Sequence, residues 1–246
     1  MSRFLVQASW SDVPHLTEEA KQDLWQSVPP YQRDARTKGI PVLGSGAIFP
    51  VPESDLVIDD FHIPDHWPRC YGLDVGWRVT CAVFMALNRD TDTVYFYAEY
   101  YRGEAEPVVH AEAIKARGKW IPGAIDPAAR GRGQTDGRAL ITMYRDLGLD
   151  IVGAENAVET GLYELLTRMT TGRLKVFRSL QNWLREFRLY RRDEKGRIVK
   201  EHDHAMDACR YGHSRLLDVA KAAPAPEPEE KPEFASFGGY ETNWMG

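Results

Sequence analysis

Three apolar stretches, over 70–76, 79–88 and 93–101, follow one another with only short polar breaks, the second break being the turn Arg89-Asp90-Thr91-Asp92. Their β-branched and aromatic content predicts strands, and breaks this short join antiparallel neighbours, so the segment is expected to be a meander. Beyond it the pattern changes. Pro107 opens a predicted helix over 108–117, a strand ends at Asp126, and a helix over 135–147 leads to a strand over 150–154, which together are crossover units. A meander continued by crossovers implies an α/β fold, with a mixed sheet of antiparallel and parallel strands flanked by helices.

The remaining elements follow from spacing. Val158, Leu162, Leu165, Leu166 and Met169 mark one face of a helix that should pack on the sheet. A short strand is expected over 174–177, then a helix capped by Ser179 and bearing Leu180, Trp183, Leu184 and Phe187, then a hairpin over 188–200 turning at Asp193-Glu194-Lys195-Gly196. In the last helix, from Asp203 to about residue 220, Met206, Cys209, Leu216 and Leu217 can bury, and Asp203, Asp207, Arg210 and Ser214 follow the complementary line.

With 246 residues, 43% of them apolar, the chain fits one large domain with appendages. Prolines at 14, 29, 30, 41, 50, 52, 64 and 68 break any regular period in residues 1–68, where one helix, begun at Thr17, is expected within an extended arm. Residues 69–220 form the expected domain. Residues 221–246 hold a Pro/Glu/Ala run and then Phe234, Phe237, Tyr240 and Trp244, a pattern of either a disordered tail or a flexible docking peptide. No apolar stretch approaches the roughly 20 residues of a membrane span, and the N-terminus lacks a signal-peptide pattern, so a cytoplasmic protein without membrane contact is expected. Three cysteines without a CxxC pair, Cys70, Cys81 and Cys209, predict buried thiols rather than disulfides or a zinc site.

Acids stand at three places in this framework. Asp74 interrupts the apolar run Cys70-Tyr71-Gly72-Leu73, Asp126 ends the run Ile121-Pro122-Gly123-Ala124-Ile125, and Asp203-His204-Ala205-Met206-Asp207 opens the last helix. Singly, Asp74 and Asp126 read as turn and strand-end residues. Joined to acids at i and i+4 of a helix start, which repel unless a cation or the helix dipole offsets them, they form a candidate site for divalent metal. Two cations about 3.5 to 4 Å apart would activate water and stabilise both oxygens in phosphodiester hydrolysis, and Mg²⁺ or Mn²⁺ needs few protein carboxylates because it keeps several waters. Asp74, Asp126 and Asp207 supply that number. Asp203 is either the helix cap or a secondary acid, and His204 is a metal, water or phosphate contact or a surface histidine. Glu99 is either a fourth acid or a solvent-facing strand residue.

Between residues 168 and 200, eleven Lys and Arg stand against three acids, a local excess of eight positive charges hidden inside a net charge of −5. By itself this is an ordinary solvated face; next to an acidic helix it suits a polyanion held beside its metals. Arg185, Arg188, Arg191, Arg192, Lys195, Arg197 and Lys200 are the candidate DNA contacts, with Arg130 and Arg132 in the Gly-rich loop after Asp126. GxxxxGK[ST] does not occur, so nucleotide hydrolysis by this chain is unsupported.

These residues resemble the C-terminal nuclease domain of the large terminase subunit of tailed bacteriophages. Asp203-His204-Ala205-Met206-Asp207-Ala208-Cys209-Arg210-Tyr211 carries the resemblance most specifically. Ala8-Ser9-Trp10-Ser11-Asp12-Val13-Pro14-His15-Leu16, Arg36-Thr37-Lys38-Gly39-Ile40-Pro41-Val42-Leu43-Gly44-Ser45-Gly46 and Gly72-Leu73-Asp74-Val75-Gly76 support it. The resemblance implies a ribonuclease H-like fold and two Mg²⁺ or Mn²⁺ ions. It implies Asp74 as the central acid, with Asp126 on one metal, Asp207 on the other, and a His204/Asp207 pairing that some members use. It also implies an endonuclease cutting double-stranded viral DNA with low sequence specificity during packaging. The implied partners are the packaging ATPase domain, of which residues 1–68 would be the end or linker, the portal and the small terminase subunit, in the host cytoplasm and transiently at the procapsid portal. The alternatives are another ribonuclease H-like nuclease, such as a Holliday-junction resolvase or transposase, and a non-catalytic DNA-binding or portal-docking module.

Overall fold

In the computed structural model of the chain, residues 9–13, 15–27, 37, 46–126 and 136–225 are described. Seven strands form one sheet: β1 (Val57–Ile58), β2 (Arg69–Asp74), β3 (Thr80–Asn88), β4 (Thr93–Arg102), β5 (Gly123–Ile125), β6 (Ile151–Gly153) and β7 (Leu174–Phe177), in the spatial order β1-β7-β4-β3-β2-β5-β6. β2, β3 and β4 are the antiparallel meander, with Asp92 turning the second connection at φ 48°. β5 joins β2 in parallel, β6 joins β5, and β7 joins the outer edge of β4. The mixed sheet expected from the change in connection length is therefore present.

Side chains alternate across the sheet, and the two faces carry separate cores. Tyr71, Leu73, Ala82 and Phe84 face α3 (Pro107–Lys115) and α4 (Asp136–Asp146), meeting Ala111, Ile114, Ile141 and Tyr144. Cys70, Cys81, Val83 and Met85 face α5 (Val158–Thr170), α6 (Gln181–Leu189) and α7 (His204–Val219). The earlier helices are α1 (Glu18–Ser27) and the single turn α2 (Glu53–Leu56). The three cysteines are buried and unbridged, and no helix among the described residues is long and apolar enough to cross a membrane.

The first half of α7 is buried all round rather than split into two faces, Asp207 and Arg210 being buried along with Met206 and Cys209, whereas Leu217, expected to bury, is exposed near the helix end. The cause is close approach to the sheet. Gly72 of β2 meets the helix backbone, where a Cβ would collide with the Ala208 carbonyl and the Gly212 nitrogen, and Gly212 returns the contact from the helix side. A central strand and the closing helix thus touch backbone to backbone, which fixes the depth at which the acids of each are held.

Residues 46–68 were expected to lie in an arm, and they join the folded body instead. β1 pairs in parallel with β7, and Ile48, Phe49, Val51, Leu56 and Ile63 are buried in the core on the α7 face. The prolines between them interrupt regular structure without preventing burial. Past α7 the chain is also tied down, Lys221 bridging Arg69 and the Ala223 N–H donating to the Asp65 carbonyl. The aromatic residues from Phe234 to Trp244 lie outside the described residues.

Candidate active site

Parallel pairing of β2 with β5 places Leu73 opposite Ile125, so the next residue on each strand is an aspartate, Asp74 on one and Asp126 on the other. Alternation along β2 puts Asp74 on the same side as Cys70 and Gly72, toward α7. There His204 Nδ1 donates to Asp74 Oδ2 at 2.9 Å. His204 is therefore neither a free surface histidine nor paired with Asp207; it orients the acid of the central strand.

The start of α7 is held by a residue that sequence reasoning passed over. Glu186 of α6 is fully buried, accepts from the Tyr101 hydroxyl at 2.6 Å, and accepts from the Ala205 N–H at 2.5 Å. That second bond caps the helix. Asp203 occupies the N-cap position by backbone, but its side chain makes no capping bond, because Glu186 already takes the Ala205 donor. Glu99 acts in the same way one helix earlier. It is neither a fourth acid nor a solvent-facing residue: its carboxylate receives the N–H groups of Asn182 and Trp183 at 2.9 Å each, capping α6 from β4. Ser179, the expected cap, instead donates its N–H to Asp60, and Leu180 stands at the cap position. Both real caps come from carboxylates on other elements, a pairing that local sequence does not reveal.

Asp207 is held between two cations. Arg210, 4% exposed, donates to Oδ1 at 3.0 Å, and Lys200 donates to Oδ2 at 2.9 Å. The same Lys200 Nζ is 3.1 Å from Asp203 Oδ2, a buried oxygen that accepts no hydrogen bond. Burial holds the Asp74 carboxyl above its ordinary value; the His204 hydrogen bond opposes that, while the charges of Asp207 and Asp126 push the same way. Tyr211 is raised by burial and then by Asp207, Asp126 and Asp74 together. All three expected metal acids thus lie close enough to one tyrosine for their charges to act on it. His204 is raised, first by its bond to Asp74.

The basic segment looks different in three dimensions from its sequence. Arg188 binds Glu53 through two bonds of 2.6 Å, Arg192 binds Glu159, and Arg197 binds Asp193. Lys200 faces the acids. Arg185 is exposed on α6 with its guanidinium 5.3 Å from the Tyr101 ring centre, Lys195 is exposed at the turn, and Arg191 is half-buried where its backbone bridges Ala47. Part of the local excess of positive charge is thus already matched, at Arg188 and Arg192, by acids far away in sequence. Arg130 and Arg132 lie outside the described residues.

Would these residues suit a divalent ion? Among the described residues no three His, Cys, Asp or Glu side chains are drawn together as a ready-made metal site. The donors are nevertheless hard carboxylate oxygens, mutually repelling at Asp74, with one buried oxygen of Asp203 lacking any hydrogen bond. Mg²⁺ and Mn²⁺ fit such a set, since they take one or two carboxylates and fill the rest of their shell with water. Asp74, Asp126 and Asp207 would hold them, with Asp203 in reserve.

The sequence model of the terminase RNaseH-like domain family matches residues 72–216. The chain is 33% identical over 238 residues to the terminase large subunit of Salmonella phage P22, covering 94% of this chain and 48% of that protein. It therefore spans about half the length of the curated relatives it matches. Its fold superimposes on the P22 large terminase nuclease domain with a TM-score of 0.68 at 33% identity, over 73% of this chain and 96% of that one. The nuclease domain of the bacteriophage SPP1 large terminase, solved with bound Mn, is more distant, with a TM-score of 0.52 at 18% identity over 67% of this chain and 98% of that one, and shares the fold.

Proposed function

The chain belongs to the family of terminase RNaseH-like domains, and from that premise we propose that it is a metal-dependent endonuclease that hydrolyses double-stranded viral DNA during genome packaging. The observation that carries this reading is the register that sets Asp74 and Asp126 side by side just past the Leu73/Ile125 pair, with α7, which bears Asp207, tied to Asp74 through His204. The Mn bound by the SPP1 domain supports a divalent ion as cofactor. Two such ions would supply an activated water and neutralise charge on the phosphodiester in the transition state.

The chain's own residues prepare for that chemistry. Asp74 and Asp126, on adjacent parallel strands, hold two carboxylates at a spacing set by the sheet. His204 fixes the rotamer of Asp74 from the opposite element, and Arg210 fixes Asp207 through Oδ1. Glu186 anchors the start of the helix that bears both His204 and Asp207. Arg185 and Lys195, exposed on α6 and the following turn, are the proposed contacts to backbone phosphates, together with Arg130 and Arg132 of the Gly-rich loop after Asp126 in the sequence. Contacts of that kind carry little sequence information, in keeping with low cleavage specificity. The packaging ATPase domain, the portal and the small terminase subunit are the proposed partners, in the host cytoplasm and transiently at the procapsid portal.

Plasmid nicking in Mn²⁺ tests the assignment. Asp74→Asn and Asp207→Asn should each lower the rate by on the order of a thousandfold, about 4 kcal/mol of barrier, with unchanged circular dichroism. Wild-type rates in both variants would sink the reading.

A further inference from the structure

We propose that Lys200 is a resident counter-cation of the Asp203/Asp207 pair, which must withdraw before a divalent ion can use those oxygens, so that this one side chain sets the affinity at which the site loads. The inference rests on the metal-dependent reading above. Its basis is position: Nζ lies 2.9 Å from Asp207 Oδ2 and 3.1 Å from Asp203 Oδ2, bridging two acids that would otherwise repel.

The two cations on Asp207 differ in how firmly they are held. Arg210 comes from the same helix three residues on, is 4% exposed, and lies 4.5 Å from the ring centre of its neighbour Tyr211. Its planar fork and its burial make it a fixed support for Oδ1. Lys200 reaches in from the segment before the helix, its side chain 63% exposed, on a flexible stem with a compact charge. One carboxylate oxygen therefore has a permanent partner and the other a removable one. Asp203 Oδ2 points to the same conclusion, since it is buried and its ion pair with Lys200, at 3.1 Å, lacks good hydrogen-bond geometry. A divalent ion meeting both oxygens would satisfy them better than one ammonium shared between them.

The consequence is an affinity tax on loading. If Lys200 occupies the acids in about nine molecules out of ten, the apparent affinity for metal is reduced about tenfold relative to a site without it. The stem contributes little to the core at this exposure, so Lys200→Met removes the charge and keeps the fold.

Calorimetric titration with Mn²⁺, paired with thermal melting with and without the ion, tests the proposal on wild type, Lys200→Met and Lys200→Arg. The expected result is that K200M binds Mn²⁺ about tenfold tighter, melts earlier than wild type without metal, and gains more from adding it. K200R, which keeps a cation on the acids, should bind no tighter than wild type. Unchanged or weaker Mn²⁺ binding by K200M, with wild type binding normally, overturns the counter-cation and leaves the metal reading standing. Absence of Mn²⁺ binding in all three proteins overturns the metal reading and the inference with it.

Discussion

At the end of the sheet where β3 turns into β4, Asp92 receives ion pairs from Arg173 at 2.7 Å and Arg168 at 3.1 Å. Burial pushes its carboxyl up, and the two guanidiniums together outweigh that and hold it below the ordinary value. At the opposite end, where β2 and β5 stop, Asp74 is held above it by burial and by two further acids, although His204 donates to it. Both ends mix acids with bases. One has more cation than acid and sits at the surface; the other packs four aspartates into partial burial and offsets them with Lys200, Arg210 and His204. A surface cluster like that at Asp92 contributes little and asks for nothing more. Acids crowded against acids are costly to fold around, and such strain in the charge pattern is a mark of a site that binds.

Removing the supports of each end should sharpen this contrast. Glu186→Ala leaves the Tyr101 hydroxyl and the Ala205 N–H without their partner inside the protein and loosens the start of α7. We expect a loss of about 3 kcal/mol in urea unfolding, together with weaker Mn²⁺ binding. Asp92→Ala, by contrast, should cost less than about 1 kcal/mol and leave metal binding unchanged. Equal losses at the two ends would erase the distinction.

A smaller effect concerns His213, which lines a cleft of about 500 Å³ between α5 and α7, well along the helix from the acids. Burial, then the charge of Arg168, lowers it to about 4. The unfolded chain takes up a proton below about 6.5 and the folded one only near 4, so stability falls as pH drops through that window. The slope attributable to His213 is at most about 1.4 kcal/mol per pH unit. His213→Phe should therefore flatten the decline of melting temperature between those pH values. An unchanged slope would show that His213 is already protonated in the folded protein.

Much of the architecture was legible because apolar spacing is local: the meander, the crossovers and the helix bearing Asp207 all fall where the pattern puts them. The acids were legible too, since an aspartate ending an apolar strand stands out. What could not be read is pairing across distance. Glu186 and Glu99 look like ordinary acids in sequence, and only the fold brings each to the start of a helix. Arg188 and Arg192 looked like free charge until Glu53 and Glu159, distant in sequence, closed on them. β1 escaped notice because two residues among prolines carry no periodicity; the open edge of β7 recruits them.

The end of the sheet marked by Asp74 is the proposed seat of the divalent metal. Anomalous diffraction from a crystal soaked in Mn²⁺ tests it most directly. The expected result is density about 2.1 Å from carboxylate oxygens of Asp74, Asp126 and Asp207, with Lys200 turned away from Asp207. Mn²⁺ bound elsewhere, or no density among these acids with Lys200 still bridging Asp203 and Asp207 at high Mn²⁺, would contradict it.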